Sequence, residues 1–141
     1  MQNQKDFTLK GADSLTLAKF AVATLIEKKA LDVRLYYVKE ESSITDYYVN
    51  ASGRSSTQVA SLADELAFKT EELDRMPLRI EGREGNAWLL VDYGDVIVNV
   101  FDKPSREFYN FDRLLSEEGR VDISDIEAEI DKKFDITKTE D

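Results

Sequence analysis

The sequence predicts an α/β (α+β) fold, a mixed β-sheet flanked by helices, on three observations. Segments with apolar residues every three or four positions alternate with short runs rich in β-branched and aromatic residues. Two consecutive apolar runs between Asn86 and Phe101 are interrupted only by "DYGD". The 141 residues are 42% hydrophobic, enough for one domain with a real core. Read along the chain, the order is α-β-β-α-β-β-α plus a C-terminal helix.

The first helix is predicted from Ser14 to about Lys29, with Leu15, Ala18, Val22, Leu25 and Ile26 on one face. "LDVRLYYV", Leu31 to Val38, alternates Val33, Leu35 and Tyr37 against Arg34, Tyr36 and Val38, the pattern of a strand with unequal faces. After the charged loop "KEESSITD", a second strand is expected over Asp46 to Ser52, leaving the sheet at Gly53. Ser55 and Gln58 have the S-x-x-Q spacing of a capping box, which starts a helix carrying Val59, Leu62, Ala63, Leu66 and Leu73 and stopping before Pro77. "EGREG", Glu81 to Gly85, reads as a polar turn. Asn86 to Phe101 then reads as a hairpin that turns at Gly94, its strands apolar enough to be covered on both faces.

A third helix is expected over Lys103 to Leu115, with Pro104 in its first turn and Phe108, Phe111 and Leu115 on one side. Residues 1–116 form the main domain, and residues 117–141 an acidic extension. In that extension a second capping box, Ser124 to Glu127, opens a short helix with Ile126, Ile130 and Phe134. The expected arrangement is an extension folded back on its own domain, and its end, "DITKTED", is expected to be disordered.

Composition excludes several chemistries. There is no Cys and no His, so disulfides, thiolate metal sites and Ser-His-Asp or Cys-His catalysis are ruled out. The net charge of -10, from 29 acidic and 19 basic residues, argues against specific nucleic-acid readout or an anionic membrane and favours a basic partner. No segment approaches the length of a membrane span, and "MQNQKDFTLKGA" resembles neither a secretory signal nor a transit peptide. A bacterial cytoplasmic protein is the simplest reading.

Two places invite a catalytic interpretation. "ASGRSSTQ", Ala51 to Gln58, turns from a strand into a helix and would present free amides to a phosphate. It lacks the lysine and second glycine of a phosphate loop, and turn plus helix cap is the preferred reading of Gly53, Ser55 and Ser56. Asp92 and Asp95 are the hairpin's candidate metal carboxylates, and a turn with Asp at each end is preferred there too. A metal-dependent nucleotidyltransferase using that pair is the enzymatic alternative. A dimeric scaffold for some other basic protein is the second.

The residues also carry a resemblance. "SITDYYVNASGRSSTQVASLADEL" with "IEGREGNAWLLVDYGDVIVNVFDKPSREFYNFDRLL" is similar to the Iojap-like family, the bacterial ribosomal silencing factors, over about Leu31 to Leu115. The shared pattern is T-D-Y-x-V-x-A-S-G, then S-x-x-Q-V, E-G, W-x-L-x-D-Y-G-D-V-x-V-x-V-F and R-E-F-Y. Where many members carry His, this chain carries Asn99. The resemblance implies a nucleotidyltransferase-like fold without catalytic equipment, no cofactor and no metal. It further implies a cytoplasmic protein, homodimeric when free, that binds the universal protein fourteen of the large ribosomal subunit, blocks joining of the small subunit and is linked to large-subunit assembly. On this reading Trp88 and Tyr93 supply apolar contact, Asp92 and Asp95 meet basic groups, and Glu81, Asn99, Arg106 and Tyr109 are secondary partner-binding candidates.

Overall fold

The computed structural model describes residues 7–140, the side chains of 135–140 excepted. In chain order the elements are α1 (Ser14–Glu27), β1 (Leu31–Tyr37), β2 (Tyr47–Gly53), α2 (Ser56–Glu72), β3 (Arg79–Glu81), β4 (Trp88–Asp92), β5 (Val96–Asp102), α3 (Lys103–Tyr109), β6 (Arg120–Val121) and α4 (Ser124–Glu140). The expected mixed α/β architecture is present, with two short strands added to the predicted order.

The six strands form one sheet in the order β3-β4-β5-β2-β1-β6. At its centre β2 and β5 run parallel, in register from Tyr47 opposite Val96 to Gly53 opposite Asp102. The β4–β5 hairpin and the outer pairings are antiparallel. Alternation along the strands sends Val33, Leu35, Val49, Ala51, Leu89, Val91, Val98 and Val100 to one face, where α1 and α2 cover them with Leu17, Val22, Leu25, Val59, Leu62 and Leu66. Each such Leu stabilises the fold by about 1.5–3 kcal/mol through burial. Helix α1 is rolled slightly from the expected face: Leu17 and Ala21 are buried, whereas Leu15 and Ile26 are half-buried.

The second face is covered less completely, by α3 and the 3-10 turn Phe111–Leu114. Here the predicted helix from Lys103 to Leu115 is corrected. It ends at Tyr109, because Asn110 takes a left-handed conformation (φ 49°) that breaks the hydrogen-bond ladder. Phe108 is consequently exposed (80%) instead of joining the core, and Phe111 is half-buried in the 3-10 turn that follows.

Other corrections concern short elements. Arg79–Glu81, which ends on the first residue of the expected polar turn, forms edge strand β3 against β4. Arg120–Val121 pairs with β1 at the opposite edge, and α4 packs on α1 through Ile126 and buried Ile130, so the extension folds back as expected. Gly119 permits this closure, since a Cβ there would lie 2.3 Å from the Tyr37 carbonyl oxygen. The cap of α4 is not Ser124 with Glu127: the Asp122 carboxylate accepts from the Ser124 amide at 2.9 Å. The backbone of 135–140, expected to be disordered, continues α4 to Glu140, while Asp141 and the first six residues lie outside the described region. Among the described residues no helix is long and apolar enough to cross a membrane.

Candidate functional site

The turn at Gly53 to Gln58 is built as a helix start. Ser55 Oγ accepts from the Gln58 amide at 3.1 Å, and Gln58 Oε1 accepts from the Arg54 amide at 2.6 Å. The glutamine thus reaches one residue beyond the cap amide of an ordinary capping box, and its Nε2 also donates to the Lys29 carbonyl at 3.4 Å. Two of the groups an anion would need are therefore occupied by the loop itself.

The hairpin carboxylates are similarly engaged. Asp92 accepts from the Gly94 amide at 2.8 Å and pairs with Arg79 at 3.2 Å, whereas Asp95 pairs with Arg75 at 2.7 Å. They hold a turn and two arginines. Tyr93 between them points into the helix-covered core and shares a 2.8 Å hydrogen bond with Thr70. Burial pushes its phenol up to about 12, against the opposing effects of Thr70 and Arg75. A side chain buried this way offers no area to a partner, so the expected contact role of Tyr93 is replaced by a core role.

The second face carries a continuous polar chain. Trp88 Nε1 donates to Asn99 Oδ1 at 2.9 Å, Asn99 Nδ2 to Asn50 Oδ1 at 3.0 Å, and Asn50 Nδ2 to Asp112 Oδ1 at 2.9 Å. Asp112 also accepts from Arg106 Nε at 2.6 Å and the Tyr36 hydroxyl at 3.2 Å, while Arg106 Nη1 donates to Ser52 Oγ at 2.8 Å. Burial alone would raise the Asp112 carboxyl; the hydrogen bonds of Arg106 and Asn50 outweigh it and hold it below the usual range. Asn99 and Arg106 are buried, so they act as supports for this face and not as its contact surface.

Above the chain lies an aromatic cluster. Trp88 packs on Phe101, Tyr109 and Phe111 with centroid separations of 4.8, 5.0 and 5.9 Å. Tyr109 is 51% exposed and touches exposed Phe108, with exposed Leu114 in the 3-10 turn that follows. Of the predicted partner-binding residues, the structure brings Trp88, Asn99, Arg106 and Tyr109 into one connected assembly and leaves Glu81 exposed beside Trp88 across the β3–β4 pair. Asp92 and Asp95 sit at the far end of β4, at the turn. Asn50, Ser52, Tyr36 and Asp112 are the members that sequence reasoning missed. The period-2 alternation of β2, in which Asn50 and Ser52 alternate with Val49 and Ala51, is the signal that places those two on a shared face.

The family described as ribosomal silencing factor during starvation matches residues 11–141. This chain belongs to that silencing factor family. It is 36% identical over 113 residues to the ribosomal silencing factor of Zymomonas mobilis, covering 80% of this chain and 81% of the relative. To the Bacillus subtilis silencing factor it is 32% identical, over 77% of this chain and 92% of the relative. A crystal structure of a Chromobacterium violaceum protein superimposes with a TM-score of 0.71 at 29% identity, covering 73% of this chain and 86% of the other. One from Bacillus halodurans has a TM-score of 0.65 at 35% identity, over 77% and 95%. The silencing factor match includes β6 and α4. Within it Asn99 acts as acceptor and donor at once, its amide bridging the Trp88 indole N–H and the Asn50 side-chain oxygen.

Proposed function

We propose that this chain is a binding protein and not an enzyme: it docks on the large ribosomal subunit through universal ribosomal protein fourteen and prevents the small subunit from joining, repressing translation. The observation that carries the reading is the half-open aromatic face, in which Trp88 is locked by Asn99 and three rings beside exposed Tyr109, on a chain of net charge -10. A rigid aromatic anchor in an acidic molecule suits a basic ribosomal protein and disfavours bare RNA. Family membership supports the ribosomal setting.

The contact surface on this reading is Trp88, Tyr109 and Glu81, with Asp92 and Asp95 at the margin, where a partner's cations compete with Arg79 and Arg75. Because both carboxylates are committed to those arginines and to the turn, they do not stand as an open pair for nucleotidyl transfer. The site of action is the cytoplasm, and the free form is a homodimer.

Sedimentation tests the proposal. Purified large subunits are expected to carry the protein into the pellet and to form fewer joined particles when small subunits are added. Unchanged joining at saturating protein would overturn it.

A further inference from the structure

The docking face has a second component whose chemistry selects its partner, an inference that rests on the reading above. Beside Trp88 is a notch of about 220 Å³ lined by Glu81, Gly82, Trp88 and Leu90. Strand register creates it. Glu81 stands opposite Leu90 in the β3–β4 pair, and Trp88 lies two residues before Leu90 on the same face of β4. One wall is therefore an indole, one a carboxylate and one an aliphatic side chain.

The walls are set before any partner arrives. Trp88 is held by its 2.9 Å bond to Asn99 and by the rings of Phe101 and Tyr109. Gly82 has φ +99°, and a Cβ there would lie 2.1 Å from the Trp88 carbonyl oxygen, so only glycine keeps β3 this close. Preorganisation of this kind removes ordering costs from binding.

The carboxylate is available. Glu81 pairs with Arg79 at 3.0 Å, but their side chains are 56% and 63% exposed, and an ion pair so open to water contributes little. Arg79 also reaches Asp92 at 3.2 Å and retains that partner when Glu81 is taken by another cation.

We infer that the notch receives one arginine side chain of the docked protein, its guanidinium stacked on the Trp88 indole and paired to Glu81, its methylenes lying on Leu90. A planar, weakly hydrated guanidinium suits an aromatic wall next to a carboxylate better than a compact ammonium does. The overall acidity of the chain draws such a group in.

Trp88 is the single tryptophan, so the full ¹⁵N-labelled chain gives one indole N–H resonance. Titration with acetyl-Gly-Arg-Gly-amide is expected to shift it saturably. The citrulline isostere, or the Glu81→Gln chain, is expected to bind about tenfold more weakly, the scale of a partly desolvated cation–π contact. Equal affinities for the arginine and citrulline peptides, or for the wild-type and Glu81→Gln chains, would overturn the notch. Co-sedimentation with large subunits separates the two levels. If Tyr109→Ala weakens binding and Glu81→Gln does not, the docking face stands and the arginine notch fails; if neither changes binding, the face itself is wrong.

Discussion

Asn50 on β2 and Asn99 on β5 stand directly opposite each other in the one parallel pairing of the described sheet, and Asn99 Nδ2 donates to Asn50 Oδ1 at 3.0 Å. Both are buried. Each has a second partner on its outer side, Trp88 for Asn99 and Asp112 for Asn50, so a relay of side chains joins the exposed aromatic face to the buried Arg106. Unsatisfied amides here would be costly, and their complete pairing makes the relay a positioning device for Trp88.

Replacing Asn99 by Leu is therefore expected to cost about 1–3 kcal/mol, because the Trp88 N–H and the Asn50 oxygen both lose their partner. Asn99→His, which keeps a donor and an acceptor, is expected to lose less. Urea unfolding of the three proteins checks the ranking, and Trp88 emission in the folded state reports whether the indole has moved. Equal stability of the Leu and wild-type chains would show that the relay contributes nothing net.

Asp112 predicts an acid limb. Its folded carboxyl lies below its ordinary value, so the stability it contributes is fully present above the unfolded value near 3.9 and is lost as pH falls through the lower folded value. Asp112→Asn is expected to lose about 1–3 kcal/mol at neutral pH, since the buried Arg106 guanidinium would lose its 2.6 Å carboxylate partner and keep only the more exposed Asp32, at 3.6 Å, as a counter-charge. The gap between the two proteins in thermal melts should narrow below about pH 4. A gap that stays constant down to pH 2 would contradict the assignment.

Tyr93 makes the corresponding prediction at alkaline pH. With a folded value pushed up to about 12 against about 10 in the unfolded chain, the contribution of its neutral phenol is present below pH 10 and is lost as pH rises from about 10 through 12. Tyr93→Phe removes that liability and leaves Thr70 its bond to the Ala67 carbonyl. The variant is expected to be within about 1 kcal/mol of wild type at pH 7 and more resistant than wild type above pH 10. Parallel alkaline melts that coincide throughout would show that burial of this hydroxyl has no energetic consequence.

What can be read from the sequence depends on whether the signal is periodic. Val59, Leu62 and Leu66, or the apolar hairpin around Gly94, repeat a pattern long enough to predict both element and burial. Strands β3 and β6, three and two residues long, have no such pattern and exist because a neighbouring strand offers an edge. The break at Asn110 is hidden because the 3-10 turn after it keeps aromatic residues at helix-like spacing. At the candidate site, Trp88, Glu81 and Tyr109 are visible as residue types, whereas their dependence on Asn50 and Asp112 is a contact between residues 62 positions apart. Tyr93 misleads for a related reason: its neighbours Asp92 and Asp95 mark a surface turn, yet strand alternation directs its ring inward.

The helix start at Ser55 provides the remaining prediction, because it separates a structural from a ligand-binding role for the glycine-serine turn. Ser55 Oγ satisfies the Gln58 amide, and Gln58 in turn holds Arg54 and Lys29. Ser55→Ala is expected to cost about 1 kcal/mol of stability, the ordinary value of a lost cap. Ser55→Asp, which restores an acceptor and adds favourable charge at the helix N-terminus, is expected to recover it. An anion held at the same amides would respond oppositely, since the aspartate would repel it. Chemical denaturation of both variants, with large-subunit binding measured alongside, resolves the two: recovered stability and unchanged binding in the aspartate chain identify a cap, and lost binding in a fully stable aspartate chain identifies an anion site.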